Sequence, residues 1–178
     1  MTRGRTTPYN HWVKRVRLPW LFLGLILAGG CIRNTPIQPS PAPAFDLPAL
    51  NGGRVSLDSL KGKVVVLDFW ATWCGPCIVE IPEYVDLWHK NQGRGVEIVG
   101  VACESDPQDV RDLVLAKRIP YRVLMGDDRV SENYGASGLP TTYVIDKHGL
   151  IRKRLVGMSA GKFKTLQQTV DELLAAQP

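Results

Sequence analysis

Apolar positions along the chain alternate between two patterns. Val64-Val65-Val66-Leu67, followed by Asp68-Phe69-Trp70, is a continuous apolar run with one acid set into it, and Val96 to Ala102 is a second such run. Runs so rich in β-branched residues predict strands buried on both faces. Tyr121–Met125, the stretch after Pro140 and Leu150–Val156 read as further strands. Between them lie stripes at helical spacing: Ile78, Ile81, Val85 and Trp88; then Val110, Leu113, Val114 and Ala116; finally Phe163, Leu166, Val170, Leu173 and Leu174. Pro82 falls inside the first stripe and predicts a kink. Val130 to Tyr134 reads as a helical turn. Gln92-Gly93-Arg94-Gly95, Ile119-Pro120 and Asp146-Lys147-His148-Gly149 punctuate the pattern, and Ser105-Asp106-Pro107 has the form of a helix cap followed by proline. Upstream, Phe45-Asp46-Leu47 and Val55-Ser56-Leu57 flank Asn51-Gly52-Gly53, a hairpin signal.

The first residues follow a different rule. Leu18 to Gly30 is apolar, preceded by Arg3, Arg5, Lys14, Arg15 and Arg17 with no acid, and followed by Cys31. A basic front, a short apolar stretch and small residues describe an export signal. As a helix that stretch would reach about 20 Å, short of a hydrocarbon core of ~30 Å. Leu27-Ala28-Gly29-Gly30-Cys31 resembles a bacterial lipoprotein signal, in which the cysteine is lipidated, although Ala28 stands where Leu is usual. An uncleaved anchor and a cleaved, soluble form are the alternatives. Residues 1–31 are thus an export or lipoprotein signal, or an anchor, that places the rest on the outer side of a bacterial membrane. Pro36, Pro39, Pro41 and Pro43 make residues 32–44 a tether of polyproline character, reaching at most roughly 40 Å. Residues 45–177 form the domain.

The formal charge of +5 belongs to that leader. With its five bases set aside, 17 bases face 17 acids, so nucleic acid is excluded as a partner on charge.

Chemistry concentrates in Trp73-Cys74-Gly75-Pro76-Cys77, where the first strand turns into the first helix. Pro76 suits a first helical turn, which puts Cys74 at the helix N-terminus, where free N–H groups and the macrodipole favour a thiolate. Cys77 is one turn on, within reach of a disulfide with Cys74. A zinc site would need a second cysteine pair or two histidines at ligand spacing, and His11, His89 and His148 are scattered. Cys74 is therefore expected as the nucleophile and Cys77 as the resolving thiol. Asp68, an acid inside a buried strand, requires a raised pKa or a partner. Cys103, at the end of the second strand, reads as a packed thiol, and His148 as a turn residue.

Asp68-Phe69-Trp70-Ala71 leading into Trp73-Cys74-Gly75-Pro76-Cys77 resembles the thioredoxin superfamily, and the hairpin and the helix–strand insert resemble its membrane-tethered TlpA/ResA-like branch. The resemblance covers residues 43 to 177. It implies an α/β three-layer sandwich: a central mixed sheet with helices on both faces, an N-terminal hairpin and a central helix–strand insert. It implies a cis peptide before Pro140, with the Leu139 backbone offered to an extended substrate segment and Trp73, Gly75 and Pro76 beside it. Asp68 is placed where thioredoxins keep the acid that takes the Cys77 proton, whereas TlpA/ResA-like chains more often carry Asn there. Glu80 lies at the offset of a functional glutamate of that branch; otherwise it is an acid favoured by the helix dipole. The implied activity is reduction of client protein disulfides, of cytochrome c maturation or copper-site assembly type, with re-reduction by a membrane-bound thiol donor and no cofactor beyond the Cys74–Cys77 disulfide. A copper-delivery protein of similar fold and a peroxiredoxin-like peroxidase are the competing readings.

Overall fold

A computed structural model describes residues 38–176. The leader and Cys31 lie outside the described residues, as do residues 32–37 of the expected tether. Among the described residues no helix is long and apolar enough to cross a membrane. The elements run β1 (Ser40–Pro41), β2 (Asp46–Pro48), β3 (Arg54–Ser56), a 3-10 turn (Leu57–Leu60), β4 (Val64–Trp70), α1 (Gly75–Asn91), β5 (Val96–Ala102), α2 (Pro107–Lys117), β6 (Arg122–Met125), α3 (Asp128–Tyr134), β7 (Thr141–Ile145), β8 (Leu150–Val156) and α4 (Lys162–Ala175).

Six strands form one sheet in the order β1-β8-β7-β4-β5-β6, and β2 and β3 pair separately as the expected hairpin. β4 runs parallel to β5 and antiparallel to β7, so the sheet is mixed. All seven residues of β4 are buried, as its apolar run requires. Its side chains alternate between two layers. Val65, Leu67 and Phe69 meet the hairpin, Val130 and Tyr134 of α3. Val64 and Val66 pack under α1 and α4, while Trp70 joins Ile81 of α1 and Val110 of α2. Each fully buried aliphatic or aromatic side chain contributes about 1.5–3 kcal/mol. By the same alternation Asp68 belongs to the side covered by α1, α2 and α4. This is the three-layer thioredoxin-like sandwich, with α2, β6 and α3 as the insert between β5 and β7.

Two details refine the sequence reading. α1 continues through Pro82 as one helix from Gly75 to Asn91, so the proline does not end it; it withholds only the donor that would meet the Ile78 carbonyl. The tether, expected to reach residue 44, ends sooner. Ser40 and Pro41 pair with Ile151 and Leu150 at the sheet edge, where proline needs no ladder donor. Ala42 N–H then bonds to the Gly149 carbonyl at 2.9 Å, and the Pro43 carbonyl accepts the Tyr134 hydroxyl at 2.8 Å. The reference for stability is a chain beginning at residue 39, which keeps every one of these bonds. One beginning at residue 45 loses these bonds and should melt about 4–8 °C lower by circular dichroism.

Candidate active site

β4 ends at Trp70, and Ala71-Thr72-Trp73 carries the chain to α1. Cys74 N–H bonds to the Ala71 carbonyl at 3.2 Å, and Cys74 caps the helix, its Sγ accepting the Cys77 N–H at 3.3 Å. The two sulfurs are bonded to each other, with their Cα atoms 5.3 Å apart. Cys77 packs with Trp70, Ile81 and Val110. Cys74 belongs to the same buried cluster but also lines a cavity of about 690 Å³, and Cys77 does not. The cavity is shared by Trp73, Gly75 and Pro76 on one side and by Leu139 on the other. The Leu139–Pro140 peptide is cis. Exposed Glu104, Asp128 and Glu132 also border the cavity and make its surroundings acidic.

The turn is pinned to the loop after β5. Ser105 Oγ donates to the Cys103 carbonyl at 2.8 Å and accepts the Thr72 N–H at 3.0 Å. The Trp73 indole N–H reaches the Glu104 carbonyl at 3.0 Å, which leaves its ring 62% exposed beside the dithiol. Sequence reasoning used Ser105 only in a capping triplet; the cap itself is Asp106, bonded to Gln108 N–H. Trp70 is buried, and its indole lies where a Cβ on Gly100 of β5 would come within 2.8 Å of Nε1, so only glycine fits there. Cys103 is buried, its Sγ 3.3 Å from Ser131 Oγ; burial pushes its thiol up, and it forms part of the cavity wall. His148 sits in the turn, its N–H bonded to Asp146.

Asp68 is buried but not unpartnered. Its Oδ1 accepts the Tyr84 hydroxyl at 2.7 Å and the Thr142 hydroxyl at 2.9 Å, and those hydroxyls are 2.6 Å apart. Desolvation raises its pKa to about 7, against the opposing pull of the Lys162 charge and the two hydroxyls. Glu80 is buried as well, which rules out a solvated acid at the helix start. Its Oε2 accepts from Lys162 Nζ at 2.5 Å, and its Oε1 has no partner. Tyr84, Thr142 and Lys162 are absent from the residues named by sequence reasoning. Tyr84 was findable: it stands four residues after Glu80 and seven after Cys77, on one helical face. Lys162 carried no signal, because a lysine at a helix start reads as solvated.

A dithiol at a strand-to-helix junction, sharing a cavity with the loop before a cis-proline on a mixed sheet, defines a thiol–disulfide oxidoreductase of thioredoxin-like fold. Residues 39–154 match the AhpC/TSA family, and the chain belongs to it. The chain is 38% identical to the thiol-disulfide oxidoreductase ResA of Bacillus subtilis over 119 residues, 66% of this chain and 66% of that one. It is 33% identical to the thioredoxin-like protein YneN of the same organism, over 73% of this chain and 76% of that one. Among solved structures it is similar to a thiol:disulfide interchange protein from Chlorobium tepidum, with a TM-score of 0.69 and 30% identity over 78% of this chain and 98% of that one.

The raised pKa of Asp68 makes stability depend on pH. The folded chain binds this proton more tightly than the unfolded chain, whose aspartate titrates near ~3.9, so stability falls as pH rises from about 4 to about 7. Asp68→Asn keeps Oδ1 as an acceptor and removes the charge. Urea unfolding should find it equal to the wild type at pH 4 and about 2–4 kcal/mol more stable at pH 8. Parallel curves at both pH values would mean that Asp68 ionises as freely in the fold as outside it.

Proposed function

We propose that this chain is a membrane-tethered, extracytoplasmic reductant of client protein disulfides. The carrying observation is the asymmetry of the pair: both belong to one buried cluster, yet Cys74 lines the cavity and Cys77 does not. In this reading the Cys74 thiolate attacks a client sulfur, and the client's other sulfur leaves as a thiolate. Cys77 then gives its proton to Asp68 and attacks Cys74. The client leaves with two thiols, and the Cys74–Cys77 disulfide remains. The Leu139 backbone pairs with an extended client segment, held between Pro140 and the surface of Trp73, Gly75 and Pro76. Carboxylates at Glu104, Asp128 and Glu132 favour a client with a cationic segment beside its cysteines. Clients of cytochrome c maturation or copper-site assembly type are the class proposed. A membrane-bound thiol donor regenerates the dithiol, because the cell envelope is oxidising.

The names of the relatives support this reading over a peroxidase, and so does Thr72. Its hydroxyl is turned to Ser105 Oγ, 3.3 Å away, where a peroxidase would need a threonine serving a single sulfur. A copper-delivery role would need a histidine near the sulfurs, and among the described residues no group of His, Cys, Asp and Glu could hold a metal ion. A reduction potential near about −270 mV is expected, and one near about −120 mV would reverse the direction of electron flow. Cys77→Ser should accumulate a client mixed disulfide through Cys74. Trapping only through position 77, in Cys74→Ser, would overturn the assignment of roles.

The leader makes a separate claim. Mass spectrometry of the mature protein should find an acylated Cys31 as its first residue, and Cys31→Ser should block processing. A free Cys31 thiol would remove the lipoprotein reading and leave the anchor or the cleaved form.

A further inference from the structure

Lys162 opens α4 and is fully buried; its Nζ lies 2.5 Å from Glu80 Oε2 on α1. The ammonium also sits 5.6 Å from the centre of the Tyr84 ring and 5.9 Å from that of Phe163. The hydroxyl of the same Tyr84 bonds to Asp68. One cation thus pairs with one buried carboxyl and lies against the ring of the tyrosine that bonds to the other. A latch between α4 and α1 would not need it. A buried ion pair is weak as a stabilising device, and well-packed apolar residues of similar volume often do as well or better.

We propose that Lys162 is a positioning residue for the exchange reaction: it holds Glu80 as a counter-ion and, across Tyr84, sets the charge environment in which Asp68 accepts and returns the Cys77 proton. The proposal rests on the role of Asp68 given above. The groups around Asp68 agree with it. From α1 it faces Tyr84 and the Glu80 carboxylate, from β7 the Thr142 hydroxyl, and from α4 Lys162; Tyr121 before β6 and Cys103 after β5 are the other titratable groups that feel its charge. Desolvation is the largest influence on Asp68 and raises it, and the Lys162 charge is the largest opposing one. Without that charge, the carboxylate form of Asp68 would be scarce at neutral pH, and Cys77 would lack an acceptor for its proton.

The test follows the Asp68 carboxyl carbon by NMR titration in the oxidised full-length chain. It also follows the rate of reduction of a small-molecule disulfide from pH 5 to 9. In Lys162→Met the Asp68 midpoint should rise by about one pH unit. The rate at pH 6 should fall about tenfold and recover by pH 9. Lys162→Arg keeps the charge and should restore both. Glu80→Gln leaves the ammonium without its counter-ion and should lower the midpoint, which keeps the test decisive if Lys162→Met fails to fold. An unmoved midpoint in Lys162→Met or in Glu80→Gln overturns the proposal, as does an equal rise in Lys162→Arg. A midpoint that moves while the rate profile stays put upholds the charge assignment and sinks Asp68 as the proton acceptor.

Discussion

Strand β4 carries one ionisable group through a layer that excludes water, and much of the surrounding structure answers to that group. A buried carboxyl must find donors or stay protonated. Here both happen: Tyr84 and Thr142 supply hydroxyls from α1 and β7, and desolvation lifts the acid towards neutrality. A second buried acid, Glu80, brings Lys162 from the far end of the chain. The helix that presents the cysteines therefore also carries two of the contacts that manage charge in the core.

The same strand determines where the sulfurs go. β4 ends at Trp70, and four residues later Cys74 caps α1, where the first free N–H groups face it. The helix then directs Cys77 inward, against Trp70 and Val110, while Cys74 remains at the cavity. Two thiols three residues apart thus receive different environments from one turn of helix. That difference is what ordered exchange requires, since one sulfur must be reachable and the other must wait.

The cavity itself is assembled from segments far apart in sequence. Trp73 and Cys74 come from the β4–α1 turn, Cys103 and Glu104 from the loop after β5, Leu139 from the approach to β7, and Asp128 and Glu132 from α3. Ser105 ties two of these segments together through Thr72 and Cys103. Its place could not be seen from its neighbours in sequence, because a serine before Asp-Pro reads equally well as a cap.

Local chemistry was legible in the chain: the run Val64–Trp70 had to be a buried strand, Asp68 had to be managed within it, and Pro76 had to place Cys74 at a helix start. These follow from periodicity, solvation and backbone geometry, which act over a few residues. The tertiary structure alone decided how Asp68 is managed and what Glu80 meets, because Thr142 and Lys162 are 74 and 82 residues from their partners. It also decided that Pro41 is docked at a sheet edge, since a proline-rich stretch has no local preference between a free tether and an edge strand. Partners brought together by folding over such separations leave no periodic trace, and a lysine that is buried at a helix start has the same neighbours in sequence as one that is solvated.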